Sequence, residues 1–163
     1  MAPPHHKERP SRQWRLGATL VELTIVVAIV GLLAAIAIPK YVDALHKRRV
    51  EAAAERLQAD LRMARTASIA RSHAETVVFD PASESYSIPT QTDIDRPTAT
   101  YMINLSDSPY CTVIEGIALD GAANNITFDH YGQPNRGGTV TLRAGAYQQT
   151  VTIEATSGRA TIP

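Results

Sequence analysis

An α+β fold is predicted for this chain: a long N-terminal helix whose first half spans a membrane, kinked near Pro39, with its second half packed on an antiparallel β-sheet head. Three observations predict it. Residues 18–38, ATLVELTIVVAIVGLLAAIAI, form an apolar run of about the 20 residues a helix needs to cross a bilayer. Over residues 41–72 apolar side chains recur at spacings of mostly three and four, with no proline or glycine between them. After His73 the period falls to two, as one-sided strands require.

The chain has 163 residues, room for one modest domain beyond a membrane segment. Its formal charge is zero but unevenly spread. Residues 1–17 carry Lys7, Arg9, Arg12 and Arg15 against Glu8. Residues 40–71 hold eight Lys/Arg against four Asp/Glu, a balance of +4, while residues 72–163 hold four Arg against ten acids, a balance of −6. An acidic C-terminal part does not read as a basic nucleic-acid surface. The single cysteine, Cys111, has no intrachain disulfide partner and is expected to be a half-buried small apolar residue.

Within the apolar run Glu22 stands alone. A carboxylate there costs about 3 kcal/mol on insertion scales and calls for a partner. A basic leader ends at Gly17, and a cut there would free an amino group at Ala18, one helical turn from Glu22. Two simpler accounts fit less of the sequence. A secretory signal peptide would use residues 23–34 as its apolar core and Ala35-Ile36-Ala37 as its cleavage site. Glu22 at the mouth of that core, and a helical pattern continuing past Pro39, speak against it. A plain membrane anchor leaves Glu22 unpaired and the Gly17 junction without meaning.

The stretch Gly17-Ala18-Thr19-Leu20-Val21-Glu22-Leu23 resembles the prepilin signal of type IV pilins and type II secretion pseudopilins. The resemblance implies that a prepilin peptidase cuts between Gly17 and Ala18 on the cytoplasmic side and methylates Ala18. Glu22 then corresponds to the glutamate that is the hallmark of the mature chain. Gly31 and Pro39 fall where many of these helices carry a glycine and a proline. Ala18 departs from the usual phenylalanine. Pairing a terminal ammonium with Glu22 offsets part of the cost of each in lipid, and between staggered neighbours it would set axial register. The alternative is a protonated Glu22 idling near the headgroups. Basic residues flank both ends of the run, so the positive-inside count is nearly a tie. The resemblance implies a cytoplasmic N-terminus and a periplasmic head.

Pro39 removes a backbone donor, so a kink is expected there. The helical pattern then resumes, with Val42, Leu45, Val50, Ala53, Leu57, Leu61 and Ala64 as its apolar stripe. Glu51, Glu55, Arg56, Asp60, Arg62 and Arg65 are assigned to the wetter faces. Lys47-Arg48-Arg49 has three readings: an anionic lipid surface, acidic heads of neighbouring subunits, or a solvated face. Four units follow: a leader over 1–17, an assembly helix over 18–39, its amphipathic continuation over 40–72, and a β-rich head over 73–163. In the head, strands are expected over residues 76–80, 85–88, 99–105, 110–115, 125–129, 139–143, 150–154 and 159–162. Turn signals at Asp80-Pro81, Asp107-Ser108-Pro109, residues 132–138, Gly145 and Ser157-Gly158 separate them.

Phe128-Asp129-His130-Tyr131-Gly132-Gln133-Pro134, a Gly-Gly turn, a hairpin and Ser157-Gly158-Arg159 together resemble the GspH/FimT type of pseudopilin. That resemblance implies a pilin-like fold and a low-copy subunit at or near a filament tip. Its partners would be other pseudopilins, the inner membrane and the secretion-system assembly platform. Two functions remain open: a structural subunit of the type II secretion pseudopilus, and a minor pilin that binds DNA in natural transformation. DNA-receptor relatives end in Gly-Arg-x-Arg; here Gly158-Arg159-Ala160-Thr161 lacks the second arginine, and the acidic head opposes phosphate attraction. Arg136, Arg143 and Arg159 could still converge into a local patch that contacts DNA or a partner. An enzyme is not indicated: no nucleophile elbow, no Gly-rich loop opening a helix and no paired histidines at metal-ligand spacing occur. His130 reads as a turn or surface residue. Asp93 and Asp95 have the oxygens for calcium, but an acidic loop accounts for them as well. No cofactor or metal is expected.

Overall fold

Residues 19–93, 96–121 and 123–163 are described by the computed structural model. The two helical stretches form a single helix α1, Leu20–Arg71, with Pro39 inside it. Thr19 begins it: its hydroxyl accepts the Glu22 amide N–H at 3.2 Å, and its carbonyl accepts the Leu23 N–H at 3.1 Å. That is an N-cap in the Thr-x-x-Glu setting, which satisfies one of the first-turn donors. Packing divides the chain at Pro39, and Lys40–Pro163 forms a compact unit.

Before Pro39 the large apolar side chains of α1 stay exposed; Leu20 is 78% and Leu32 68% accessible. After it, Val50, Ala53, Leu57, Leu61 and Ala64 are buried as the periodicity predicts, joined by Ala54 and Ser68. Two assignments are corrected here. Val42 is exposed, because head packing begins about a turn later, where the ring of His46 lies against Gly145. Asp60 belongs to the buried face, not a wet one.

Among the described residues eight strands follow: β1 Glu75–Asp80, β2 Ser85–Thr92, β3 Thr100–Asn104, β4 Val113–Leu119, β5 Asn125–Phe128, β6 Gly138–Ala144, β7 Tyr147–Ile153 and β8 Ala160–Thr161. They form two four-stranded sheets, ordered β3-β2-β1-β5 and β4-β6-β7-β8, with every pairing antiparallel. Inward residues alternate as a half-buried strand demands: Val77 and Phe79, Tyr86 and Ile88, Ile126 and Phe128, Val140 and Leu142, Val151 and Ile153. These side chains and the helix stripe make one continuous core. Each fully buried Leu, Ile or Phe contributes about 1.5–3 kcal/mol.

One strand is displaced from its expected place. Tyr110 ends a turn over residues 108–110, closed by the Cys111 N–H donating to the Asp107 carbonyl at 2.9 Å, and Cys111 and Thr112 follow it outside any strand. Cys111 takes a positive φ of 46°, which breaks strand geometry, so β4 starts at Val113. The same turn leaves Cys111 exposed, against the half-buried role expected of it.

Candidate functional site

The N-terminal features lie on α1. Glu22 is exposed in its first turn, and its carboxylate has no hydrogen bond or ion pair among the described residues. Gly17 and Ala18 lie outside the described residues. Gly31 has open space around its Cα, and Pro39 is exposed within the helix. The basic run further along is partly neutralised, since Lys47 and Arg48 both approach Glu51, at 3.9 and 3.8 Å. Exposed pairs of this kind contribute little.

Arg136, Arg143 and Arg159 do not gather into one patch. Arg136 precedes β6 and Arg143 lies near its far end, about 20 Å away at the rise of a strand. Arg143 is ion-paired with Glu115 across the sheet, and Arg136 donates from Nη1 to the Ala123 carbonyl at 3.2 Å. The physical reason is strand direction: residues at opposite ends of one strand cannot share a patch.

Arg159 finds different company. It lines a groove of about 510 Å³ together with Arg62, Arg65 and Thr66 of α1 and with Ser157 and Gly158. Arg65 donates from Nε to the Gly132 carbonyl at 3.2 Å, which aims its guanidinium. Gly158, at φ +66°, is seated so tightly that a Cβ would stand 2.9 Å from that same carbonyl. Arg62 and Arg65 were missed in the sequence because Arg159 lies over ninety residues away from them. Their three-residue spacing on one helix face was the available signal.

Behind this surface the helix is fastened by buried polar groups. Asp60 Oδ2 accepts from Tyr86 Oη at 2.6 Å, Tyr101 Oη at 2.8 Å and Arg56 Nε at 3.1 Å. Burial, and then the Asp60 charge, raise the Tyr86 hydroxyl far above the usual tyrosine range. Burial and the hydrogen bond to Asp60 push Tyr101 up to about 12. Glu75, equally buried, accepts from Arg71 at 3.3 Å and from the Thr90 hydroxyl, tying the helix end to β1 and β2. Asp60 had a sequence signal, since it stands three residues after Leu57 and four before Ala64 on the apolar stripe.

His130 is exposed and its ring lies tilted at 45° against that of Tyr131, ring centroids 3.9 Å apart. Asp93 accepts from Arg96 at 3.1 Å, and Asp95 lies outside the described residues. Among the described residues no three His, Cys, Asp or Glu side chains gather as a metal site.

Comparison with solved structures matches this architecture. The type IV minor pilin FimU of Pseudomonas aeruginosa strain PAO1 aligns with a TM-score of 0.54 at 16% identity, covering 71% of this chain and 89% of that one. A second crystal form of FimU gives 0.50 at 17% identity, covering 69% and 91%. The minor pseudopilin EpsH from the Type 2 Secretion System of Vibrio cholerae gives 0.48 at 14% identity, covering 71% and 96%. No curated protein sequence matches the chain. The fold is that of a pilin-like subunit, a long apolar N-terminal helix with an α+β head. The chain belongs to the GspH family, type II transport protein GspH, whose family model matches residues 53–157.

Proposed function

We propose that the chain is a minor pseudopilin, a structural subunit without catalytic activity, at or near the tip of the type II secretion pseudopilus. There it supports export of proteins across the outer membrane. The observation that carries this reading is the exposed apolar surface of α1 before Pro39, bearing the single carboxylate of Glu22, on a chain of the GspH family. Such a surface is stable only in lipid or against other apolar helices.

Prepilin peptidase cuts after Gly17 and methylates Ala18. Glu22 pairs with the amino terminus of a neighbouring pseudopilin and sets its register, while Gly31 and Pro39 let the helix bend or locally melt. The subunit starts in the inner membrane with its N-terminus cytoplasmic and its head periplasmic, and passes through the secretion assembly platform into the filament. Mass spectrometry of the membrane and filament fractions tests this. A chain beginning at methylated Ala18 is expected, and an assembled form retaining residues 1–17 overturns it.

A second reading, a minor pilin binding DNA for transformation, draws support from the arginines around the 510 Å³ groove. The missing second arginine after Arg159 and the acid excess of the head weigh against it. Deleting the gene separates the two: loss of exported proteins with normal DNA uptake supports secretion, and the reverse pattern supports uptake.

A further inference from the structure

We propose that the groove between α1 and the turn at Ser157–Arg159 is a receptor for a short acidic segment of a partner protein. Three arginines, Arg62, Arg65 and Arg159, line it together with Thr66 and Ser157. Arg62 and Arg159 are exposed, and neither side chain makes a hydrogen bond or ion pair of its own among the described residues. Glu154, on the same turn, accepts from the Ser157 hydroxyl and attracts Arg159 electrostatically, so one carboxylate stands against three guanidinium groups. The groove therefore keeps a cationic surplus that its own loops do not neutralise.

Its construction is specific. Arg65 is aimed by the Gly132 carbonyl, and Gly158 brings the second wall against that same carbonyl where no side chain would fit. Guanidinium forks match carboxylates in paired hydrogen bonds, and a volume of about 510 Å³ is in the range that holds a small group of side chains.

Charge complementarity selects the occupant. Beyond the groove the head is acidic, ten Asp/Glu against four Arg over residues 72–163. Glu154 and Asp129 stand on the two loops that meet there. A nucleic-acid strand running past the groove would meet this repulsion phosphate by phosphate. A short carboxylate-bearing segment ends before it does. Only the partner's identity as a neighbouring filament subunit rests on the function proposed above; the groove's chemistry does not.

The test uses the full chain in neutral detergent micelles and fluorescein-labelled hexaglutamate, followed by anisotropy. Hexaglutamine and a single-stranded DNA hexamer serve as comparisons. Hexaglutamate is expected to bind, and hexaglutamine is not. The double variant Arg62→Gln with Arg159→Gln should weaken binding about tenfold at an unchanged melting temperature. Arg136→Gln should leave binding unaltered. The double reversal Arg62→Glu with Arg159→Glu should lose hexaglutamate and gain hexalysine. Absence of binding, indifference to the double variants, or tighter binding of the DNA each overturns the proposal. Failure of the filament reading would show elsewhere, as a chain with an uncut leader.

Discussion

Asp60 places one carboxylate oxygen within reach of two tyrosine hydroxyls and a guanidinium, on a helix face made mostly of Val, Ala and Leu. Such a buried group adds little net stability over a well-packed apolar one, but removing one member strands the others. Asp60→Ala is therefore expected to lower the unfolding free energy by about 3–5 kcal/mol in denaturant titration. Asp60→Asn keeps an acceptor for a tyrosine and should cost about 1–3 kcal/mol. Equal, small losses in both would show that the network is idle. Glu22 makes a different prediction, because the amide that binds Thr19 survives substitution of its side chain. Glu22→Ala and Glu22→Gln should insert into membranes as well as the parent chain, or better, yet enter filaments poorly. Normal incorporation of both, scored in the sheared filament fraction, would remove the register role.

Strand pairing sets the demands of the elements. Gly138 opens β6 at φ +140°, and a Cβ there would fall 2.2 Å from the Ala118 carbonyl of β4. Backbone cannot yield as a side-chain tip does, so Gly138→Ala should cost about 3 kcal/mol, read as a lower melting temperature. Gly31→Ala, with open space around it, should leave melting of the head unchanged. The junction of α1 with β2 and β3 also responds to pH. Tyr86 and Tyr101 keep their protons longer in the folded chain than in the unfolded one, Tyr101 up to about 12. Their contribution is complete below about pH 10, where unfolded tyrosine titrates, and is lost as pH rises through the folded values. Stability should thus fall above about pH 10, and the double variant Tyr86→Phe with Tyr101→Phe should flatten that fall. A parent chain with no alkaline dependence would contradict it.

On the scale of the molecule, every core residue among the described residues lies within Lys40–Pro163, and the described helix before Pro39 contributes none. A fragment beginning at Lys40 should therefore fold by itself, with a melting temperature within a few degrees of the head in the full chain and without need of detergent. A fragment that stays unfolded would show that the apolar helix is part of the head's stability. The same division matches the division of labour proposed for the chain: an apolar surface awaiting lipid or other helices, and a head that carries the charged contacts.

Local periodicity alone determined the helix, the approximate place of each strand and the apolar run with Glu22, because side-chain repeats of 3.6 and 2 are written along the chain. It failed at residues 110–112, where a positive φ at Cys111 ends what alternation continues. Tertiary structure decided that the strands form two sheets and that Arg159 sits with Arg62 and Arg65 instead of Arg136 and Arg143. Those outcomes depend on which distant segments meet. Burial and charge act between neighbours in space, and no spacing along one strand or helix encodes a neighbour brought by another.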